Sequence, residues 1–438
     1  MGYYSLLLFP CLLLLLFLGF PVAFAMMGTA LVFGYLTFGP AFVFQMAEKV
    51  EDVASNYVLA AVPLFVFMGS MLERSGIAER LFEAIHLWTR RLPGGLAIGT
   101  VLMCIIFAAS SGVVGATETV VGLLAIPVMM RYLYNKELIV GTICAGGSLG
   151  TIIPPSVVAV VLGPVANVSV GDLLVGMIFP GLIMAGSYIV YILALCIFSP
   201  KAGPRIPPSP DEPPLGQKLR VTAFALVPPM FMIFAVLGSI MMGWAAPTEA
   251  AGLGAFGAVL LTLFYRTFSW QALHEAVMKT LSISTMIMTI LLAGSMMTGA
   301  FLGAGGITVT QELVETLKLG SWGLLGIVLV LAFLGGFFLD WISLVLILVP
   351  IFSPLLTASG INMVWFCILF LIVIQTSYLS PPMAPAIFYF RAISPPEITT
   401  AHMYRGVIPF ILLQAMTLAI CLIFPGTITW LPSVLLGP

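Results

Sequence analysis

Charged side chains are scarce in this chain of 438 residues. Asp, Glu, Lys and Arg together make up 8% of it, whereas 61% of its residues are apolar. Because a soluble protein carries roughly a quarter charged residues, this composition excludes an ordinary water-soluble domain and indicates a protein embedded in a lipid bilayer. The net charge of −1 and the lack of a basic patch give no support for a nucleic-acid partner.

Residues that ligate metals or form disulfides are also few. The 3 His residues are scattered among loop charges, and the 6 Cys residues form no CxxC pair and have no His at metal-ligand spacing. We therefore expect no resident cofactor and six cysteines buried as small apolar side chains. The sequence has no HExxH motif, no Ser/His/Asp set and no paired Asp on one helix, which argues against an integral-membrane enzyme.

The start of the chain lacks the basic region of a signal peptide. Its apolar run is also too long for one, so we expect residues 1–40 to stay in the mature protein, as one long kinked helix or two short ones. Further apolar runs alternate with short charged clusters and predict an all-α polytopic membrane protein with about ten or more membrane elements. Segment 201–220 is polar and rich in proline, and is predicted to be a linker between two halves.

The two halves resemble each other. Similar features follow in the same order at nearly constant offsets: PPS at 154–156 and PPM at 381–383, Pro127 and Pro350, Gly69 and Gly299, Gly76 and Gly306. Lys and Arg are distributed oppositely, however. Loop 73–91 is rich in arginine, whereas its counterpart 303–321 carries only Lys318. By the positive-inside rule the two halves, 1–200 and 221–438, are predicted to be inverted repeats, the architecture of many secondary transporters.

Each half contains a polar interruption in a short apolar segment. Segment 322–350 contains GGFFLDWIS with Asp340, and the equivalent segment 93–127 contains AASSGVVGATET with Glu118. Two full spans need about 40 residues, so both segments are predicted to be re-entrant hairpins with polar tips. Asp340 is a functional candidate because intramembrane carboxylates are costly. Glu118 is either a ligand or a solvated residue at the tip.

Each half also contains a pair of prolines in an apolar run, and segments 138–163 and 363–391 are predicted to be broken helices. A proline cannot donate to the carbonyl four residues earlier. The freed carbonyls should be those of Gly150, Thr151, Ser377 and Tyr378. A desolvated Na+ suits such a cage of oxygens. The half-helices expected to start at Ser156 and Met383 would turn their positive ends toward the midplane, which favours an anion.

Several stretches carry a family resemblance over essentially the whole chain. The most specific are AAGGSLGTIIPPS, WAAPTEAAG, SSGVVGATETVVGLLAIP and LSPPMAPAIFYFR. With these motifs the chain resembles the large membrane subunit of tripartite ATP-independent periplasmic (TRAP) transporters, the DctM-like family.

The resemblance implies a permease subunit in the bacterial inner membrane, with many spans in the lipid bilayer. Its partners would be a small four-helix DctQ-like membrane subunit and a periplasmic DctP-like solute-binding protein. It would import a small organic anion with Na+ by elevator-type alternating access. The absence of a GxxxxGK[ST] phosphate-binding loop agrees with transport that is not driven by ATP.

The resemblance also implies two Na+ sites, each made from one hairpin tip and one helix break. The first would use Ser110, Ser111, Gly112, Gly147, Gly150 and Thr151; the second would use Gly336, Asp340, Ser343, Thr376, Ser377 and Ser380. The solute would lie between them, near Thr117, Ser148, Pro155, Ser156 and Pro382. The chain departs from the family pattern at Thr117, where many members carry Asp.

Other functions remain open from the sequence. A stand-alone Na+/organic anion symporter of the ion-transporter superfamily would need no binding protein, and a channel would need a continuous pore. The features that favour an anion fit a dicarboxylate, a 2-oxo acid, a sulfonate or a sugar acid equally well.

Overall fold

The computed structural model describes residues 2–111, 115–206, 213–316, 320–381 and 384–437. Within these ranges every regular element is a helix. The α-helices are α1 Leu8–Phe17, α2 Val22–Phe38, α3 Phe42–Ser55, α4 Ala61–Glu73, α5 Ile77–Thr89, α6 Gly95–Ser111, α7 Ala116–Arg131, α8 Lys136–Ser148, α9 Val157–Ala166, α10 Val170–Gly176, α11 Ile178–Phe198, α12 Leu215–Met241, α13 Pro247–Phe264, α14 Trp270–Gly303, α15 Gly306–Thr316, α16 Ser321–Gly335, α17 Trp341–Ala358, α18 Met363–Leu379, α19 Pro385–Ile393, α20 Thr400–Ile423 and α21 Gly426–Leu435. Short 3-10 helices lie at Gly2–Leu7, Gly39–Ala41, Tyr57–Ala60 and Leu149–Thr151.

Seven helical stretches in the described part are long and apolar enough to cross a membrane, or up to nine if each of two bent helix pairs is one span. The all-helical, polytopic fold predicted from composition is therefore confirmed. The predicted count of about ten or more is higher because it includes helices too short to span, such as α6, α9 and α18. The start of the chain forms two helices, α1 and α2, separated at residues 18–21.

The helices pack in two groups. Helices α2, α4, α12, α13 and α14 form a wall, in which α14 packs along α2 and α4, and α13 packs between α4 and α12. Helices α6–α11 and α16–α21 form a body, in which α8 packs against α6, α7 and α20, and α18 against α16 and α20. The groups meet where α4 contacts α6 and where α14 contacts α17. This arrangement positions the candidate site between wall and body.

The element order of the two halves is the same. Helices α6 and α7 form a hairpin followed by the broken helix α8/α9 and the long α11; α16 and α17 form a hairpin followed by α18/α19 and α20. The second helices of the hairpins run past the predicted ends, to Arg131 and Ala358. Prolines inside these helices are tolerated because neighbouring packed helices can satisfy the freed carbonyls. The opposite orientation of the two halves stays a prediction.

The described residues of the predicted linker lie on both sides of residues 207–212. Its first residues are held by backbone hydrogen bonds: the N–H of Asn135 donates to Ala202 O at 2.9 Å, and the N–H of Gly94 to Gly203 O at 3.0 Å. Its last residues already belong to α12, which begins at Leu215 directly after Pro214, because the sequence from there to Arg220 contains no proline. Residues 207–212 of the linker lie outside the described part.

The expectation that all six cysteines are buried is wrong for one of them. Cys104, Cys144, Cys196, Cys367 and Cys421 are buried free thiols, as expected, but Cys11 is exposed on α1. An apolar stretch at the periphery of a membrane protein turns part of its surface outward, so an apolar sequence context does not imply burial against protein.

Candidate functional site

The first broken helix is buried in the body and is interrupted between α8 and α9. Helix α8 ends at Ser148, a 3-10 turn follows, and α9 begins with Ser156 as its N-cap residue, so the predicted half-helix start is confirmed. The peptide bond between Pro154 and Pro155 is cis. The hydroxyl of Ser156 donates to the carbonyl of Thr151 at 3.1 Å. This carbonyl was predicted to be freed for a cation, and one of its two lone pairs is instead used within the break.

The second broken helix has the same design. Helix α18 ends at Leu379 and α19 begins at Pro385, two residues after the predicted start at Met383. The hydroxyl of Ser380 donates to Thr376 O at 2.7 Å, and its N–H donates to Ser377 O at 3.1 Å. Pro382, predicted to contact the solute, and Met383 lie outside the described residues.

Each hairpin tip lies directly against the helix break of its own half. A Cβ atom on Gly147 would overlap Glu118 Cγ, and one on Gly336 would overlap Ser377 Oγ. The glycines therefore permit contacts that an alanine would prevent. The structure thus brings together Gly336 and Ser377 of the second predicted cation site, and places Gly147 of the first site against Glu118.

The structure describes the remaining residues of the first predicted cation site only in part. Ser110 and Ser111 end α6 at this tip, while Gly112 lies outside the described residues. In the break, Gly150 and Thr151 are both buried. The role of all these residues as cation ligands stays a prediction.

The two hairpin carboxylates differ in environment. Asp340 is the N-cap residue of α17; it accepts hydrogen bonds from the N–H of Ile342 at 3.1 Å and of Ser343 at 3.4 Å, and from the hydroxyl of Ser343, while its side chain faces open space. Glu118 is 0% exposed, so the alternative of a solvated tip residue is wrong. Its Oε2 accepts the N–H of Gly115 at 2.6 Å.

A buried polar network joins the first break to the second half of the chain. Gln375 accepts a hydrogen bond from Thr151 Oγ1 at 3.0 Å and donates to Ser148 Oγ at 3.2 Å. Gln414 donates to Ser148 Oγ at 3.3 Å and to Tyr188 OH at 2.8 Å. Neither glutamine was predicted from the sequence, although an amide within an apolar run is itself a signal, because intramembrane polar groups need partners.

A cavity of about 980 Å³ lies between the wall and the body. Its body side contains residues of both hairpin tips and both breaks, namely Gly115, Thr119, Val157, Val158, Gly336, Leu339, Asp340, Trp341, Ile342, Ser377, Tyr378, Pro385 and Tyr389. Its wall side comes from the start of α2, from α4 and from the first half of α14. Of the predicted cation residues, Gly336, Asp340 and Ser377 line it; Ser343, Thr376 and Ser380 are buried beside them.

The residues predicted to contact the solute lie deeper. Thr117, Ser148, Pro155 and Ser156 are buried and do not line the cavity. Ser148 and Ser156 use their hydroxyls within the body, in the polar network and in the break respectively. The residues that follow Ser156, Val157 and Val158, line the cavity instead.

The wall contributes charged side chains that were not predicted from the sequence. Lys279 of α14 and Glu73 of α4 both line the cavity, and the Lys279 ammonium forms an ion pair with the Glu73 carboxylate. The two residues are 206 positions apart, and only the packing of α14 against α4 brings them together.

Comparisons with known proteins agree with this architecture. The profile of the tripartite ATP-independent periplasmic transporter, DctM component, matches residues 9–427. The C4-dicarboxylate TRAP transporter large permease protein DctM of Pseudomonas aeruginosa is 30% identical, over 92% of this chain and 91% of that one. The sialic acid TRAP transporter large permease protein SiaM of Vibrio cholerae is 28% identical, over 97% of each. The crystal structure of the Alcanivorax borkumensis YdaH transporter superposes with a TM-score of 0.68 at 15% identity, covering 96% of this chain and 98% of the other, which shows a shared fold.

Proposed function

Because the chain belongs to the DctM family of large permease components of TRAP transporters, we propose that it imports a small organic acid anion together with Na+. A large permease subunit of this family serves a binding-protein-dependent transporter and lies in the bacterial inner membrane with multiple spans. The proposal adds the coupling ion, the alternating-access mechanism and the partners of this particular chain.

The observation that carries the proposal is the convergence of four helix N-termini on one cavity. Gly115, the N-cap residue of α7, and the first residues of α9, α17 and α19, namely Val157, Trp341 and Pro385, all line it. Each helix N-terminus carries about half a positive charge. Two of the four ends already hold a carboxylate of the chain, Glu118 at α7 and Asp340 at α17. The ends of α9 and α19, which in the described part of the chain have no side-chain cap and no acidic residue in the first turn, favour an anionic ligand such as a carboxylate or sulfonate. Lys279 adds a positive charge on the wall side of the cavity.

The cavity also suits a positive ion as co-substrate. The Asp340 carboxylate lines the cavity on the body side, and the Glu118 carboxylate is buried in the body. Both helix breaks supply hydroxyl and carbonyl oxygens. In the described residues no group of three or more His, Cys, Asp or Glu side chains could hold a metal ion, which argues against a tightly bound transition metal there. Na+ is a hard cation that takes oxygen ligands, and the carboxylates, hydroxyls and carbonyls here supply them.

The separation of wall and body supports an elevator movement. The body contains both hairpins and both broken helices in one packed unit, so the cavity's tip and break residues would move together. The wall helices α2, α4 and α14 would remain as the fixed surface against which the body slides. In this mechanism Na+ neutralises carboxylates that would otherwise repel the anion, so that solute and ion cross together.

The complete transporter would include two partners. A small DctQ-like membrane subunit would support the wall, and a DctP-like periplasmic protein would deliver the solute. The family's tripartite composition supports both partners. Because the binding protein selects the solute, a thermal-shift screen of that protein against succinate, pyruvate, isethionate and gluconate identifies the class of anion.

The test is uptake into proteoliposomes that contain the chain and its small subunit, with the binding protein outside and the selected acid as radiolabelled solute. We expect accumulation when Na+ is high outside, and none when choline replaces Na+ or when the binding protein is omitted. Uptake that persists without the binding protein would support a stand-alone symporter instead.

A further inference from the structure

Glu118 is the buried carboxylate of the first hairpin, and it is incompletely satisfied. It is 0% exposed, and its Oε2 accepts the N–H of Gly115. Its Oε1 is buried without a hydrogen-bond partner among the described residues. The carboxylate at the other tip, Asp340, has three hydrogen bonds and open space beside it. A buried carboxyl group without a partner is costly when ionised, so Glu118 either carries a proton on its free oxygen or binds a further cationic group there.

The neighbours of Glu118 do not supply that group. Among the described residues its ionisable neighbours are Cys104, Cys144 and Tyr378, none of them basic, and no ion pair includes Glu118. The backbone around Glu118 acts in both directions. Glu118 lies in the first turn of α7, whose positive end favours a carboxylate, but within the described part that end leaves Oε1 without a hydrogen bond. The side chain packs onto Gly147, in the last turn of α8, where the helix end carries a partial negative charge.

Glu118 lies next to residues that line the cavity. Gly115, whose N–H group donates to Glu118, lines the cavity, and so does Tyr378. The Glu118 carboxylate is thus hydrogen-bonded to a residue that a solute and its co-transported ion would contact.

We propose that the Glu118 carboxylate is a direct ligand of the Na+ ion in the first hairpin, so that this site carries its own negative charge. The proposal rests on the Na+ coupling proposed above and adds a residue outside the set that the family resemblance implies. Gly147 has a specific part in it: a side chain there would displace the carboxylate from the break.

The test measures ion binding and not transport. The purified chain in lipid nanodiscs is titrated with ²²Na+ at constant ionic strength, with choline as the replacement ion. We expect Glu118→Gln to bind one Na+ fewer than the unmodified chain, because the amide keeps the shape but loses the charge. Glu118→Asp retains the charge on a shorter side chain and should keep the number of ions while weakening affinity by roughly tenfold or more.

Glu249 is the matched control. It too accepts the N–H of its helix N-cap residue, at 2.8 Å from Ala246, but it lies at an exposed helix start. Glu249→Gln should leave Na+ binding unchanged. Unaltered stoichiometry and affinity in both Glu118 variants would overturn the proposal. If Glu118→Gln does not fold, the affinity of Glu118→Asp decides alone. Absence of Na+ binding to the unmodified chain would instead refute the coupling proposed for the transporter as a whole.

Discussion

Gln375 donates a hydrogen bond of 3.2 Å to Ser148, 227 positions earlier in the chain, and Pro154 and Pro381 are separated by the same number of residues. The two residues thus occupy corresponding positions just before the two proline breaks, and they touch. The same glutamine accepts a hydrogen bond from Thr151 inside the first break. The two breaks are therefore joined by a buried polar contact at the centre of the body.

The first prediction concerns this contact. Gln375→Leu should destabilise the protein by about 1–3 kcal/mol, because it leaves the buried hydroxyl of Thr151 with one partner fewer. The melting temperature of the purified protein measures the effect. Gln311 on α15 is exposed, and Gln311→Leu is the control that should change little. Equal melting temperatures for the two variants would show that the network does not hold the breaks together.

The second prediction concerns the glycines at the tips. Gly147→Ala and Gly336→Ala should each cost about 1–3 kcal/mol and reduce uptake, because the new methyl group would overlap Glu118 or Ser377. Gly299 lies in α14 with open space where a methyl group would be added, so Gly299→Ala should be neutral or slightly stabilising. Melting temperature and initial uptake rate are measured for all three variants. Normal uptake by the two tip variants would mean that hairpin and break need not stay in contact.

The third prediction concerns Asp340. Asp340→Asn keeps an oxygen that can cap α17 but removes the charge at the positive end of that helix. We expect uptake to require a higher Na+ concentration for half-maximal rate, or to cease. Asp52→Asn, at an exposed position on α3, should have no effect. An unchanged Na+ dependence in Asp340→Asn would reduce the role of this residue to capping the helix.

The fourth prediction concerns the ion pair on the wall. Lys279→Gln should raise the solute concentration needed for half-maximal uptake, because the cavity loses a cation that attracts the anion. Glu73→Gln should lower that concentration, since it leaves Lys279 unpaired and available. Uptake is measured as a function of solute concentration at fixed Na+. Effects of the same sign in both variants would indicate a structural ion pair and not a contact for the solute.

The sequence predicts the broken helices and hairpin positions well, because proline, glycine and charge act locally. A proline pair at Pro154 interrupts a helix whatever surrounds it, and a carboxylate such as Asp340 in an apolar run marks a polar tip. Contacts between distant segments were not predictable in this way. The packing of Glu118 on Gly147 and the pairing of Lys279 with Glu73 depend on how the helices pack. The sequence of one segment alone does not determine that packing.

The predicted solute contacts show the same limit. Ser148 and Ser156 were placed near the solute because they lie at a helix break, and they do lie there. Their hydroxyls, however, satisfy buried groups of the body, while neighbours such as Val157 reach the cavity. Which side of a broken helix faces a cavity is set by the helices packed against it.

The most direct test of the account is the effect of a Na+ gradient on uptake by the reconstituted three-component transporter. With the acid selected by the binding protein as solute, an inward Na+ gradient should drive accumulation above the external concentration, and dissipating the gradient should release it. Equal uptake with Na+ and with choline, at the same membrane potential, would contradict the account.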